Sequence, residues 1–390
     1  MSPRKPISDA TRMIRAGKPP ASLARTVGPP IQKGSTILLP NAKSLYDGSQ
    51  LTYGRGGLAS QNALMDALCE LEGATAVRLF PSGLAGITGA ILAVVKSGDE
   101  VLVTDSAYKP TRRFADRVLK RFGLGVRYYP PRATAEDLMA MAGPATRLIV
   151  IESPGSLTFE MQDAPAIAAA ARKRGILTLM DNTWAAGLYF KPLAHGVDLS
   201  VQALTKYVGG HSDVFMGSAA CADPRLGEAL DQAIVDFGWS VSGEDAYQIL
   251  RGLRTLATRM ARHGESGLKV AAWLREQPEV AQVLHPALPG APDHALWTRD
   301  YSGASGLFGF VLRPGPEKTA DTFLDALTLF GLGFSWGGFE SLALDCDAQF
   351  NVRQTPPGFD GPVIRLSIGL EAPDDLIADL RRGLDAVKAA

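Results

Sequence analysis

From Leu58 onward the chain alternates short apolar segments with amphipathic ones, and this alternation constrains its fold more than any other feature. Strands that alternate with helices form parallel sheets whose two faces are covered by the helices. The predicted strands of the first half lie at residues 76–80, 100–104, 126–129, 147–151, 176–180 and 199–204. The sequence therefore predicts an α/β protein with a mostly parallel sheet.

The chain is long enough for more than one folding unit. Its 390 residues leave room for two or three domains. A second α/β unit begins at about residue 253, with predicted strands at 306–312 and 363–368 and a C-terminal amphipathic helix. We therefore predict a large domain over residues 57–252 and a smaller domain over residues 253–390.

Residues 1–56 differ from both predicted domains. Pro19-Pro20 and Gly28-Pro29-Pro30 interrupt any helix, and apolar residues are sparse. A segment of this kind has little core of its own. We therefore predict an N-terminal arm that lies on another domain or on a neighbouring subunit.

The composition argues against several classes of partner. Forty basic residues balance forty acidic ones, and no basic patch indicates binding to nucleic acid or to a membrane surface. The N-terminus lacks the apolar segment of a signal peptide, and no long apolar run is present. Cys69, Cys221 and Cys346 are widely spaced, which favours reduced thiols over disulfides or a zinc site. These features predict a cytoplasmic protein without a metal.

Lys206 is the residue around which the chain is best interpreted. It follows a β-branched apolar run and precedes a glycine-rich loop. A lysine at the edge of a core loses hydration, which lowers its pKa and makes its amine a nucleophile and a proton carrier. Asp181 ends an earlier predicted strand. Either residue alone is usually a surface side chain, but the pair at two strand ends suits pyridoxal phosphate.

Ser82 and Gly83 lie between the predicted strand at 76–80 and a helix of small residues that extends through Val95. A helix that begins directly after a strand presents free N–H groups and a positive dipole end, which suit a phosphate. The alternative interpretation is that Ser82 is an ordinary N-cap of this helix and binds no ligand. Neither GxxxxGK[ST] nor GxGxxG occurs, which argues against a dinucleotide oxidoreductase.

Tyr108 follows the predicted strand at 100–104, so an aromatic side chain also lies at a strand end. Ligands of open α/β sheets bind at the carboxyl ends of the strands. We therefore expect Tyr108, Ser82, Asp181 and Lys206 to converge at one edge. Glu152 lies at the same edge, and the sequence indicates no chemical role for it.

Further polar residues lie in the second unit and in the arm. Arg365 is placed in an apolar strand, where a buried guanidinium requires an anion. A bound carboxylate and a structural ion pair are both consistent with this position. Tyr53 and Arg55 lie on a glycine-rich loop of the arm, for which a simple turn is the alternative interpretation.

Several motifs together resemble the pyridoxal-phosphate-dependent family of cysteine and methionine metabolism enzymes, which has the aspartate aminotransferase type I fold. They run in family order from about Arg25 to the C-terminus. The motifs are TVGPPIQKGST, LTYGRGG, FPSGLAG, DSAYKPT, ESPGS, MDNTWAAG, ALTKYVGGHSD, SWGGFESL and IRLSIGLE. The resemblance implies that the cofactor is pyridoxal 5′-phosphate.

The resemblance also implies a role for each matching residue. Lys206 would form the Schiff base with the cofactor aldehyde, Asp181 would pair with the pyridine nitrogen, and Tyr108 would stack on the ring. Lys206, Tyr108 and Tyr53 are the implied catalytic residues. The implied phosphate contacts are Ser82, Gly83, Leu84 and Thr205, with Tyr53 and Arg55 from a neighbouring subunit. The implied site for the substrate carboxylate consists of Arg365, Ser335 and Trp336.

Within the family the chain resembles the β-lyases. Tyr53-Gly54-Arg55 and Ser335-Trp336 have the β-lyase form, and Lys109-Pro110 stands where methionine γ-lyases typically carry a cysteine. The resemblance implies α,β-elimination of L-cystathionine, a step of methionine biosynthesis, with cysteine and other S-substituted cysteines as further substrates. A γ-synthase, a γ-lyase and a cofactor-bearing regulatory protein are the alternatives.

Two further expectations follow from the resemblance. It implies a homotetramer whose active sites are shared within each dimer. The chain also departs from the family pattern at one position: many relatives have a serine three residues before the lysine, whereas this chain has Ala203. One hydrogen bond to the phosphate is therefore expected to be absent or replaced.

Overall fold

The computed structural model describes residues 8–17, 26–316 and 318–389. The strands in this part of the chain are Ala76–Phe80 (β1), Glu100–Thr104 (β2), Gly125–Tyr129 (β3), Thr146–Glu152 (β4), Leu177–Asp181 (β5), Leu199–Ala203 (β6), Gly217–Cys221 (β7), Val280–Leu284 (β8), Leu307–Leu312 (β9), Gly331–Leu332 (β10), Leu342–Asp345 (β11) and Val363–Ser367 (β12). The α-helices are Asp9–Arg15 (α1), Ala59–Glu72 (α2), Gly83–Leu92 (α3), Lys109–Phe114 (α4), Ala135–Met141 (α5), Ala164–Lys173 (α6), Pro224–Phe237 (α7), Gly243–Leu253 (α8), Leu256–Arg275 (α9), His294–Asp300 (α10), Thr319–Asp325 (α11), Asp347–Phe350 (α12) and Pro373–Ala389 (α13).

The first sheet has the strand order β1-β7-β6-β5-β4-β2-β3. The pairs from β3 to β6 are parallel, whereas β7 is antiparallel to both β1 and β6. Because β7 reverses the direction twice, β1 runs parallel to β6. The carboxyl ends of β1, β2, β4, β5 and β6 therefore meet at one edge of the sheet. The predicted fold class, a mostly parallel sheet in an α/β protein, is confirmed.

Helices cover both faces of this sheet, which explains why its strands are apolar runs rather than alternating ones. Val101 and Val103 pack on one face with α3, whereas Leu102, between them, packs on the other face with α5 and α6. All three side chains are fully buried. Burial on both sides fixes the positions of the strand ends.

The second sheet has the order β10-β11-β12-β9-β8. One of its faces packs with α9, α11 and α13. Its other face shares a core with the first sheet, since Leu307, Leu344 and Val363 cluster with Met180 and Ile151. Alternation along β12 directs Arg365 to the same side as Val363, toward the first sheet. The predicted division into residues 57–252 and 253–390 falls just before the last residue of α8, and it stays a prediction.

The arm contains a helix that the sequence analysis did not predict. Residues 1–7 and 18–25, with Pro19-Pro20, lie outside the described residues. Between them α1 begins after the cap residue Ser8, and its Met13 is buried in the core formed by α2 and α8. The arm is irregular from residue 26 to 57 apart from short 3₁₀ turns, and Leu38 and Tyr46 are more than nine-tenths exposed.

No helix within the described ranges is both long and apolar enough to cross a membrane.

The close approach of β7 to the start of α3 generates a stability prediction. A Cβ atom on Gly217 would lie 2.3 Å from the carbonyl oxygen of Ser82 and 2.9 Å from Cα of Gly83. Because these are backbone atoms, Gly217→Ala must displace α3 and should lower the free energy of unfolding by about 1–3 kcal/mol, as overpacked cores do. Urea denaturation measures this loss.

Gly143→Ala is the matched control, because a Cβ atom at Gly143 meets no heavy atom within 4 Å and its φ is ordinary. Equal stability of the two variants would contradict the packing of α3 on β7.

Candidate active site

A cavity of about 1090 Å³ lies at the carboxyl edge of the first sheet and extends to the second sheet. Ser82, Tyr108, Asp181 and Lys206 all line it, so the structure brings these four residues together. The other predicted site residues that line it are Gly83, Leu84, Thr205, Ser335, Trp336 and Arg365. Tyr53 and Arg55 are not among the lining residues, and Tyr53 is 51% exposed. The structure therefore does not bring these two arm residues to the cavity of their own chain.

Lys206 lies three residues beyond the end of β6, and its amine points into the cavity. Nζ donates to Oγ of Ser335 at 2.8 Å and lies 5.4 Å from the centre of the Trp336 ring. Burial and, to a smaller extent, the positive charge of Arg365 lower the pKa of Lys206 to about 8, and Asp181 opposes the shift. A minor fraction of this amine is therefore neutral at pH 7, and this fraction grows as the pH approaches 8.

Asp181 ends β5 and is held in place by Thr183. Its Oδ1 accepts from the backbone N of Thr183 at 3.0 Å and from Oγ1 of Thr183 at 2.6 Å. Burial raises the pKa of Asp181, while Thr183 and Lys206 lower it. Both hydrogen bonds go to one carboxylate oxygen. Among the residues that the structure describes, Oδ2 has no donor, so it can accept from a ligand in the cavity.

Glu152 is a site residue that the sequence analysis missed. It is the register partner of Asp181 across β4 and β5. Its Oε2 accepts from the backbone N of Tyr108 at 2.7 Å, and its Oε1 accepts from the hydroxyl of Ser156. Burial, followed by the nearby Asp181, raises the pKa of Glu152 to about 8. The sequence signal that could have identified Glu152 as a site residue was its position at a strand end. Its contacts show that it orients the backbone of Tyr108.

The start of α3 offers unpaired donors to the cavity. Oγ of Ser82 accepts from the N–H of Ala85 at 3.1 Å, and among the described residues the N–H groups of Gly83 and Leu84 have no acceptor. A Cβ atom on Gly83 would lie 2.4 Å from Cβ of Ala203, so only glycine fits there. The helix ends at Leu92, not at Val95 as predicted, because a turn precedes β2. Its first turn is suited to an anion.

Thr205 has a different environment from the one that its implied role suggests. Its Oγ1 donates to the carbonyl of Met216 at 3.2 Å and accepts from the N–H of the same residue at 3.0 Å. The hydroxyl thus ties the segment that carries Lys206 to the start of β7. Its second lone pair is available to a further donor, and its only proton is engaged by Met216.

Arg365 is buried without a carboxylate partner in the part of the chain that the structure describes. Its Nη2 donates to the carbonyls of Gly333, Phe334 and Ser335 at 3.2, 3.0 and 2.8 Å. Its Nε has no hydrogen-bond partner there. Burial lowers the pKa of Arg365 to about 10, so the guanidinium stays charged at neutral pH. Of the two interpretations left open by the sequence, this arrangement favours a bound carboxylate over a structural ion pair.

A buried ion pair in the lining of the cavity was also missed. Nη1 of Arg112 lies 2.6 Å from Oδ1 of Asp105, and both side chains are 3% exposed. Asp105 also accepts from the backbone N of Gln354 at 3.0 Å and of Thr355 at 2.9 Å. This cluster fastens a loop of the second sheet to the end of β2, across a sequence distance that no local pattern reveals.

Three groups that line the cavity suit three different chemical features of a ligand. A neutral amine can attack an aldehyde, a buried carboxylate can accept from a protonated ring nitrogen, and free helix N–H groups can hold a phosphate. Lys206, Asp181 and the start of α3 provide these three in one cavity. The residues present therefore fit pyridoxal 5′-phosphate.

Comparison with known proteins identifies the family. The chain matches the family described as Cys/Met metabolism PLP-dependent enzyme over residues 10–385. It is 49% identical to a putative cystathionine β-lyase of Rhizobium johnstonii, covering 97% of this chain and 96% of that protein. It is 42% identical to a cystathionine β-lyase of Escherichia coli, covering 96% and 97%. The crystal structure of cystathionine γ-lyase from Lactobacillus plantarum, complexed with L-serine, superposes with a TM-score of 0.91 at 30% identity, covering 98% of this chain and all of that one. The chain therefore belongs to the pyridoxal-phosphate-dependent enzymes of cysteine and methionine metabolism, and pyridoxal 5′-phosphate is its cofactor.

Proposed function

We propose that this chain is a carbon–sulfur β-lyase that converts L-cystathionine to L-homocysteine, pyruvate and ammonia. One observation carries the proposal: the Lys206 amine and the Arg365 guanidinium meet at Ser335. The hydroxyl of Ser335 accepts from Lys206 and its carbonyl accepts from Arg365. The names of the similar proteins from R. johnstonii and E. coli support the same activity. The enzyme acts in the cytoplasm, in methionine biosynthesis.

The cofactor is held at its two ends. The N–H groups of Gly83 and Leu84 and the hydroxyl of Ser82 would bind its phosphate, and Asp181 would accept from its ring nitrogen. The hydroxyl of Thr205 instead holds the segment of Lys206 to the start of β7. Tyr108, whose backbone is positioned by Glu152, would stack on the ring. Lys206 would hold the cofactor through its aldehyde. When bound, the cofactor would supply an acceptor for the electrons that remain when the substrate Cα loses its proton.

Arg365 orients the substrate. Its Nε, which has no partner among the described residues, and the fork geometry of the guanidinium suit the α-carboxylate, and Trp336 lines the same cavity beside Nζ of Lys206. A carboxylate at Arg365 places the substrate Cα near Ser335 and so near Nζ of Lys206. Lys206 is then the general base at Cα, because its lowered pKa keeps part of the amine neutral.

The reaction balances without an oxidant or a reductant. Lys206 takes the proton from Cα, the bond between Cβ and sulfur breaks, and the sulfur leaves with the bonding electron pair. The same lysine can return a proton to that sulfur. Water then completes the release of pyruvate and ammonia, so one thioether and one water give one thiol, one keto acid and one ammonia.

The substrate panel is the direct test of this function. The protein should release pyruvate and thiol from L-cystathionine and L-cysteine, and little from L-methionine or O-succinylhomoserine. Lys206→Ala should retain less than about a thousandth of the activity with an unchanged circular dichroism spectrum, as expected for the loss of a proton-transfer group. Lys120→Ala, on the exposed end of a helix, is the control.

A γ-elimination or γ-replacement product from O-succinylhomoserine in place of pyruvate from cystathionine would favour a γ-synthase or γ-lyase. Full activity of Lys206→Ala would overturn the role of the lysine.

The pKa of Lys206 gives a second prediction, in the cofactor-free protein. Only the neutral amine is acetylated, so its reactivity should rise through pH about 8, whereas an exposed lysine should titrate near about 10.4. Arg365→Gln removes a positive charge that lowers this pKa, so the midpoint should move to higher pH. Mass spectrometry of the labelled peptide measures the midpoint.

Arg313→Gln removes the same charge outside the cavity and should leave the midpoint unchanged. A midpoint of Lys206 equal to that of exposed lysines would contradict the desolvated amine.

The arm completes the site of a neighbouring subunit in a homotetramer whose active sites are shared within each dimer. Support comes from its exposed apolar side chains, which include Leu38 and Tyr46, and from the position of Tyr53 and Arg55 outside their own cavity. The Arg55 guanidinium lies 5.5 Å from the centre of the Tyr53 ring, so the two side chains form one unit. In this proposal Tyr53 and Arg55 bind the cofactor phosphate of the partner subunit, and Tyr53 also assists catalysis there. The rest of each chain forms two domains, over residues 57–252 and 253–390.

Subunit mixing tests the shared site. A Tyr53→Ala/Arg55→Ala protein and a Lys206→Ala protein should each be inactive, and a refolded mixture should regain up to about a quarter of the wild-type activity, as random pairing in symmetric dimers predicts. Differently tagged chains show whether heterodimers form. Heterodimers without activity would mean that the arm serves its own chain.

A further inference from the structure

The helix that follows Tyr108 carries three cations along the cavity. They are Lys109, Arg113 and Arg117, each four residues from the next, and all three line the cavity. The helix continues from α4 into a π turn over Ala115–Leu119, so the three side chains share one face. Arg113 and Arg117 are exposed, which places them at the open end, whereas Arg365 is buried at the inner end.

These three cations differ from the other basic residues that line the cavity. Arg112 pairs with Asp105, and Arg353 lies 3.4 Å from Glu160. Within the described ranges the side chains of Lys109, Arg113 and Arg117 form neither an ion pair nor a hydrogen bond. The nearby Asp116 pairs with Lys120 at 2.7 Å.

The acidic lining residues do not neutralise the open end. Glu152 and Asp181 lie at the inner end, where they contact the backbone of Tyr108 and Thr183, and Asp105 is engaged by Arg112. The open end of the cavity therefore carries unbalanced positive charge. Such a charged opening attracts anions and raises their local concentration.

We infer that Lys109, Arg113 and Arg117 form a subsite for a carboxylate on the group that leaves with the sulfur. The inference rests on the proposed function, in which Arg365 holds the α-carboxylate and the sulfur substituent extends from Cβ toward the open end. A thioether whose substituent ends in a carboxylate, as that of cystathionine does, meets the three cations there. A substituent that ends in an amine alone is repelled, so the subsite selects substrates by charge.

Three cysteine derivatives of similar size test the subsite: S-carboxymethyl-L-cysteine, S-methyl-L-cysteine and S-(2-aminoethyl)-L-cysteine. The wild type should prefer the anionic compound. In Lys109→Gln/Arg113→Gln/Arg117→Gln the ratio of kcat/KM for the anionic over the cationic compound should fall at least about tenfold, equivalent to about 1.4 kcal/mol. Turnover of S-methyl-L-cysteine should be unchanged. Salt should weaken the preference of the wild type, because exposed charges are screened.

Arg121→Gln is the matched control, because Arg121 is an exposed guanidinium in the same helical segment that does not line the cavity. The single variant Arg113→Gln covers the case in which the triple variant does not fold, and its ratio should fall in the same direction. An unchanged ratio in a folded variant would overturn the subsite. So would a loss of cofactor absorbance in the triple variant, which would mean that the cations hold the phosphate.

A binding measurement separates the failure of this inference from the failure of the proposed lyase activity. Calorimetry with the cofactor-loaded Lys206→Ala protein should give tighter binding of the anionic than of the cationic compound, and the three glutamine substitutions should abolish that difference. If the wild type released no thiol from any compound, the lyase proposal would fall, and the binding ratio would still decide the subsite. Equal affinities with and without the three cations would overturn the inference whatever the reaction.

Discussion

The burial of Lys206 near Arg365 is the interaction on which the proposed chemistry of this protein depends. Two positive charges in one poorly hydrated cavity repel each other, and water screens them little there. Arg365 keeps its charge, because three backbone carbonyls accept from its Nη2 and its intrinsic pKa is high. The lysine therefore loses its proton first. In the proposed function, this neutral amine removes a proton from a substrate whose carboxylate Arg365 holds.

This arrangement requires two features of the fold at once. The antiparallel strand β7 separates β1 from β6 without reversing β1, so that Ser82 and Lys206 lie at the same edge. Only small residues on β7 permit this, as Gly217 faces the backbone of Ser82. The second sheet then supplies Ser335 and Arg365 from the opposite wall, and the Asp105–Arg112 pair fixes a loop of that sheet to the first one. The cavity thus depends on contacts across most of the chain.

The sequence predicts the parts of this structure that depend on local patterns. Apolar runs separated by amphipathic segments predict the parallel strands, and a strand that leads directly into a turn places Ser82, Tyr108, Asp181 and Lys206 at the sheet edge. Strand β7 was not predicted, because its glycine, serine, alanine and cysteine residues lack a β-branched pattern. Glu152 was given no role, since its effect arises from register with Asp181 and from the backbone of Tyr108. Helix α1 was missed because its stability comes from burying Met13 in a distant core.

The most direct measurement of the central claim is the exchange of the α-hydrogen of L-alanine in deuterated water, because this amino acid has no leaving group and reports only on proton removal at Cα. The wild-type holoenzyme should exchange it, Lys206→Ala should not, and Asp181→Ala should exchange it much more slowly with cofactor still bound. Exchange at the wild-type rate in Lys206→Ala would contradict the account, because the proton would then be removed by another group.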